Sequence, residues 1–425
     1  MKTIWFTLYN FLIIPLLYLI LRLLGIFNNK VKRGIKGRER IFEELILNSA
    51  TLDKSKKLVW FHSSSLGEFE QAKPIIKELK KKNDINILVT FFSPSGYENS
   101  RKYPYADLVS YLPLDTRSNA ERFISIVRPD LAVMMRYDIW PNHVWAMNKY
   151  NIRSIIVDAT MKSNSARKLP LAKSFHKYLF GNISTILAVS ESDVLGFKEF
   201  NVPAERIKAV GDTRFDRVYQ RSIVAREKNL IKEELLKDKK IFVAGSTWEL
   251  DEDIILPAFA KLSKYDRSTI LIIAPHEPTE VHLDKIENEF AGTLETIRFS
   301  FMNNYKNERV IIVDSIGILL TLYTYADLAF VGGSFKQGIH NVLEAAVYGI
   351  PVMFGPKIEN SQESQKLLKR GGGILIKNKS DAFRQLRTMF SNDSLRKAKG
   401  KISFDYVKEN LGATEKILTE IYKII

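Results

Sequence analysis

The feature that most constrains this chain is a repeated alternation of short apolar runs with helix-length intervals. The first series is LVWFHSS (58–64), INILVTF (85–91), ADLVSYLP (106–113), DLAVMMR (130–136), RSIIVDA (153–159) and TILAVS (185–190). The second is KIFVAGS (240–246), TILIIAP (269–275), VIIVD (310–314), ADLAFVGG (326–333), IPVMFG (350–355) and GILI (373–376). Strands separated by helical segments argue for parallel βαβ units. A polar, charged stretch over 220–240 reads as a helical connector between the two series. The 425 residues exceed what one compact core holds. The expected fold is therefore α/β, with two doubly wound Rossmann-like domains facing a central cleft, their ligands at the carboxyl ends of the strands. The boundaries expected are 1–28 for an N-terminal anchor helix, 29–220 for the first domain and 221–425 for the second.

The anchor is read from Ile4 to Phe27, where only Asn10, Pro15 and Arg22 interrupt an apolar run. About 20 helical residues cross a hydrocarbon core, so this segment is long enough. Lys30, Lys32, Arg33, Lys36, Arg38 and Arg40 follow at once. The positive-inside bias keeps that flank and everything after it in the cytoplasm, and the cluster suits anionic membrane lipids. A span and an in-plane interfacial helix both agree with Trp5, Tyr9 and Tyr18.

A net charge of +16 points to acidic partners, and zero cysteines remove disulfides, thiolate metal sites and a cysteine nucleophile. Six scattered histidines contain no metal-binding pair, and no metal is expected. Nucleic acid is not an expected partner, because no zinc finger, RNA-recognition signature or long arginine-rich helix occurs. GxGxxG, GxxxxGK[ST] and a nucleophile elbow are absent.

Chemistry gathers at two places. Residues 326–360 read as a strand, a Gly332-Gly333-Ser334 turn, a loop through Gly338 to His340-Asn341, a helix over 342–348 and another strand over 351–354. A glycine turn and a helix start present amides and a positive dipole end, the setting for a phosphate. Asn341 and Glu344 have capping-box spacing, so both also fit a purely structural role. In the first half, the strand ending at His62 runs into Ser63-Ser64-Ser65-Leu66-Gly67-Glu68. Ser65 to Glu68 is a second capping-box spacing. A carboxylate at a helix start beside a glycine is also placed as a general base would be. Arg136, Asp138, Asp158, Asp212, Thr213 and Arg214 fall at further strand ends, as do Ser246, Thr247, Pro275, His276, Glu277 and Asn360.

These motifs together resemble the Kdo (3-deoxy-D-manno-octulosonic acid) transferases of lipopolysaccharide synthesis, which have the two-domain GT-B fold. The resemblance spans essentially the whole chain. It is carried by FHSSSLGE (61–68), TFFSPSGYE (90–98), YLPLD (111–115), WPN (140–142), GDTRFD (211–216), AGST (244–247), APHEP (274–278) and the 326–360 segment. It implies an inverting glycosyltransferase that moves Kdo from CMP-Kdo to a lipid A precursor, lipid IVA, at the cytoplasmic face of the inner membrane, with no cofactor. It implies that Glu68 is the general base. Donor contacts fall on Ser246, Thr247, Pro275, His276, Gly332, Gly333, Ser334, His340, Asn341, Glu344 and Asn360, with Glu344 on the ribose. Ser65, Gly67, Arg136, Asp138 and Arg214 lie on the acceptor side. The chain departs from the family at Arg136 and Asp138, which replace two acids, at His276, which replaces an arginine, and at Trp248, which replaces a histidine. Another membrane-associated GT-B enzyme using a UDP-sugar is the nearest alternative, and a catalytically silent GT-B binding protein the next.

Overall fold

The computed structural model describes residues 2–81, 84–336 and 338–425. The chain divides into two compact units, one running to Arg217 and including Leu411–Ile425, the other Val218–Asn410.

Among the described residues, the first unit holds seven strands: β1 (Lys57–Ser63), β2 (Ile85–Phe91), β3 (Leu108–Tyr111), β4 (Leu131–Met135), β5 (Arg153–Ala159), β6 (Thr185–Ala188) and β7 (Ile207–Ala209). They form one parallel sheet in the order β3-β2-β1-β4-β5-β6-β7. Strands β2 and β4 are buried along their whole length, and β1 and β5 all but their first residue, because helices cover both faces. Phe61, Phe69, Ile75 and Leu79 pack on one face, and Trp60, Phe123 and Met147 on the other.

The second unit repeats the design with β8 (Lys240–Thr247), β9 (Thr269–Pro275), β10 (Thr296–Arg298), β11 (Val310–Ile312), β12 (Leu328–Val331), β13 (Val352–Phe354) and β14 (Gly373–Leu375). Its parallel order is β10-β11-β9-β8-β12-β13-β14. The strand order reverses beside β1 in the first sheet and beside β8 in the second. Those are the switch points where doubly wound sheets open a crevice at the strands' carboxyl ends. Strands β7 and β10, absent from the sequence reading, are three-residue edge strands with too few apolar positions to register as runs.

Two segment boundaries differ from the sequence expectation. The helix entering the second unit starts at Thr213 and runs to Arg226, so the connector begins before residue 220. Residues 411–425, expected in the second domain, belong to the first unit. Helix Ala413–Tyr422 buries Ile417 and Ile421 against Phe69 and Ile75, and Asp216 accepts from Gly412 N (2.7 Å) and Thr414 N (2.6 Å) at its start. Apolar contact and a carboxylate cap outweigh chain order.

The N-terminal apolar segment is one helical stretch, Thr3–Phe27, with a π-helical turn at Tyr9–Ile13. Its first half is docked on the first unit. Trp5 Nε1 donates to Ser174 Oγ (3.1 Å), Tyr9 Oη to Asp115 Oδ2 (2.7 Å), and Asn142 Nδ2 to Asn10 Oδ1 (2.9 Å). Phe11, Leu16, Leu19, Leu23 and Phe27 lie exposed. Asn28 then caps the basic helix Asn29–Lys36. Arg38 is held between the Phe92 and Tyr111 rings, donating to the carbonyls of Leu112, Gly34 and Phe92. Its charge is thus committed to the protein.

The return of the C-terminal helix gives a test. Ile417→Ala is expected to destabilise the first unit by about 2–5 kcal/mol, read as a lower urea midpoint for the transition of that unit.

Candidate functional site

In the first unit the site is built where β1 hands over to helix Leu66–Lys80. Ser65 is the N-cap, and the box closes from both sides, Ser65 Oγ accepting from Glu68 N and Glu68 reaching back. Glu68 Oε2 accepts from Ser64 N (2.8 Å), Ser64 Oγ (2.6 Å) and Ser65 N (3.3 Å). Every hydrogen bond to this carboxylate among the described residues falls on Oε2. Oε1 is left for another partner, on a side chain only 7% exposed. A Cβ at Gly67 would meet nothing closer than Ser65 Oγ at 3.9 Å, so glycine there keeps room beside the carboxylate rather than relieving a clash.

Strand β4, beside β1, ends in the same region. Arg136 takes a left-handed backbone (φ +60°), which turns the chain and brings Asp138 back to β1. Asp138 Oδ2 lies 2.7 Å from Nε2 of the fully buried His62. His62 Nδ1 lies 2.9 Å from Thr90 Oγ1, which also accepts from Trp60 Nε1 (2.8 Å). Arg136 Nε is buried without a partner among the described residues. Arg214 grips both oxygens of Asp212 (Nε at 3.0 Å to each). Burial works to raise the Asp212 carboxyl, but the paired Arg214 outweighs it and holds it low. Asp158 sits at a register shift in β5 with φ +52° and accepts from Thr213 N (3.1 Å) and Oγ1. Burial first, and then the neighbouring Asp212 charge, push Asp158 up to about 7.

In the second unit the ends of β8, β9 and β12 converge. A Cβ at Gly332 would fall 2.2 Å from Ser246 O, so this glycine is required for the two strand ends to meet. Gly333 has φ +94° and Gly338 φ +112°. Between them the loop is closed by Gly338 N to Gly333 O (2.9 Å) and His340 N to Gly332 O (3.1 Å). Asn360 clamps it, accepting from Ile339 N (3.2 Å) and donating to Ile339 O (3.1 Å). The Ser334 hydroxyl accepts from Gly355 N (2.6 Å), and the buried Thr247 hydroxyl donates to Glu252 Oε1 (2.7 Å). Pro275 is the buried end of β9, and His276 next to it is exposed.

Two expectations for this turn are corrected. The helix read over 342–348 is the single turn Leu343–Ala346. Its N-cap position falls on Val342, and Asn341 Oδ1 accepts from Leu343 N (3.1 Å). So short a helix carries little aligned dipole. The amides expected to wait for a phosphate are in part occupied. Asp251 Oδ2 accepts from Gly333 N (2.7 Å) and from Trp248 N (2.9 Å). Burial pushes the Asp251 carboxyl up, and these amide bonds oppose that shift. Sequence reading missed Asp251; its signal was the position three residues after Trp248, at the start of helix Glu249–Tyr265. Glu344 lies 3.8 Å from Arg221.

Two parallel, doubly wound sheets, each with polar side chains gathered at its switch point, define the GT-B class of two-domain α/β proteins. A solved UDP-GlcNAc 2-epimerase from Neisseria meningitidis shares this fold (TM-score 0.61, 14% identity, 87% of this chain and all of that one). The family model of 3-deoxy-D-manno-octulosonic-acid transferases matches residues 39–217. A 3-deoxy-D-manno-octulosonic acid transferase of Aquifex aeolicus is 31% identical over 80% of this chain and 88% of its own length. One of Haemophilus influenzae is 28% identical over 97% of both. The chain belongs to the 3-deoxy-D-manno-octulosonic acid transferase family and is a glycosyltransferase.

The Asp158 environment makes a pH prediction. A carboxyl raised on folding binds its proton more tightly in the native state, so its contribution is full below about pH 4 and is lost as pH rises through about 7. Asp158→Asn is expected to flatten that decline in the stability of the first unit, measured as the urea midpoint across this range. An unchanged pH slope would contradict it.

Proposed function

We propose that this chain transfers Kdo from CMP-Kdo to a hydroxyl of the lipid A precursor lipid IVA, with Glu68 as general base. The observation that carries this reading is the Glu68 carboxylate: one oxygen fixed by three donors, the other open, at the switch point of the first sheet. An oriented carboxylate with a free oxygen is what abstracting a proton from an attacking hydroxyl requires. Family membership supports Kdo as the transferred sugar.

In this mechanism the acceptor hydroxyl gives its proton to Glu68 Oε1 as its oxygen bonds to the anomeric carbon of Kdo. The bond from that carbon to the CMP phosphate breaks with its electron pair leaving on CMP, and the configuration inverts. His276, His340 and Ser246 stabilise the leaving phosphate, while Asn360 and the Gly333–His340 hydrogen-bonded loop hold those groups in place. Glu344 takes the ribose. No metal or other cofactor takes part. On the acceptor side, Arg136 and Asp138 bind the phosphorylated disaccharide, and Ser65 and Gly67 shape the space around Glu68. Arg214 acts there through Asp212.

The membrane reading follows from the N-terminal helix. Its first half spends Trp5, Tyr9 and Asn10 on the protein while its outer face stays apolar, which supports a helix lying in the cytoplasmic interface of the inner membrane. Lys30, Lys32 and Lys36 then meet anionic headgroups, while Arg33 is paired with Glu98. The exposed Leu169 and Leu171 stand near the helix's docking site on Ser174 and Phe175 and extend the apolar face.

Glu68→Gln keeps the side chain's shape and removes its basicity. Turnover of CMP-Kdo is expected to fall about 10²–10⁴-fold, with thermal unfolding close to that of the wild type. Near-normal turnover by a folded variant would remove Glu68 from this role.

A further inference from the structure

Three rings meet at the carboxyl edge of the second sheet. Trp248 Nε1 lies 3.0 Å from His340 Nε2. The His276 and His340 rings stack at 4.4 Å with 17° between their planes, and the Trp248 and His276 centroids are 4.8 Å apart. An indole N–H donates and never accepts, so His340 Nε2 must be the acceptor and carry no proton. Burial, and then the adjacent His276, push His340 down to about 4, so near neutrality the ring holds a single proton. That proton is on Nδ1. The main chain at Trp248 is anchored, since its backbone N–H is held by Asp251. The His340 ring packs against Gly333, where an added Cβ would come within 2.9 Å of Cδ2, so the glycine leaves the ring its place.

We propose that Trp248 is a positioning residue for the sugar-nucleotide donor: its indole N–H fixes His340 as the Nδ1–H tautomer, whose N–H donates to a phosphate oxygen of the donor. This rests on the placement of CMP-Kdo in the second unit. The donor is a neutral histidine N–H of set orientation, which binds without a permanent charge.

The test is nitrogen-15 NMR of labelled histidine in the full-length protein, combined with CMP titration of the wild type and of Trp248→Phe. The wild type is expected to show His340 with Nδ1 protonated and Nε2 bare at neutral pH. Trp248→Phe keeps an aromatic ring and removes the N–H. It should shift His340 towards the Nε2–H form, weaken CMP about tenfold, and raise the donor KM with little change in kcat. Trp248→His is a second variant should the first not fold, because its ring both donates and accepts and so leaves a mixed tautomer. A protonated Nε2 in the wild type, or a tautomer indifferent to position 248, overturns the role of Trp248. A tautomer shift with unchanged CMP affinity overturns the His340–phosphate contact. A wild type with the expected tautomer and no affinity for CMP overturns the donor assignment itself.

Discussion

Parallel pairing on both sides of a central strand governs each unit. Strand β1 lies between β2 and β4, and β8 between β9 and β12, all running the same way. A strand so enclosed must send its chain out at the carboxyl end, and where the strand order reverses the covering helices part. Glu68 and Asp138 leave the first sheet at that point, and Trp248 and the Gly332-Gly333 turn leave the second. Each unit therefore brings residues far apart in sequence to one edge of its sheet, with left-handed backbone at Arg136, Asp158 and Ser246.

The two edges handle charge differently. In the first, carboxylates dominate, and each is given a partner: Glu68 has hydroxyl and amide donors, Asp138 has His62, Asp212 has Arg214 and Asp158 has Thr213. In the second, the strand-end amides that would suit a ligand's phosphate are partly bound by the protein's own carboxylate, Asp251. A buried amide without a partner costs free energy, so an internal acceptor stabilises the turn in the absence of ligand. The proposed consequence is that recognition of a phosphate passes to side chains, His276 and His340, whose orientation the turn maintains. The Trp248 indole joins that arrangement through its contact with His340 Nε2.

Much of this was legible in the sequence because apolar runs as long as those of β1, β2, β4, β5, β8 and β9 have few alternatives to a buried parallel strand. The capping-box spacing of Ser65 and Glu68 was equally plain, and the structure forms that box in full. Residues 411–425 were not legible as part of the first unit. An amphipathic helix reveals that it packs, whereas its partner, here Phe69 and Ile75, depends on the path of the whole chain. The Asn341–Glu344 spacing looked like the Ser65–Glu68 box, yet only one helical turn follows it, since the chain turns at Val347–Gly349 to enter β13. Asp251 was missed because a carboxylate at a helix start reads as a local cap. Its bond to Gly333 joins residues 82 positions apart.

The central claim is that this protein forms a glycosidic bond between Kdo and a lipid A precursor. Mass spectrometry of lipid IVA incubated with CMP-Kdo and the full-length protein tests it most directly. The account predicts that the lipid gains the mass of one or more Kdo residues while CMP is released. An unmodified lipid with intact CMP-Kdo, or the same lipid modified from a UDP-sugar instead, would contradict it.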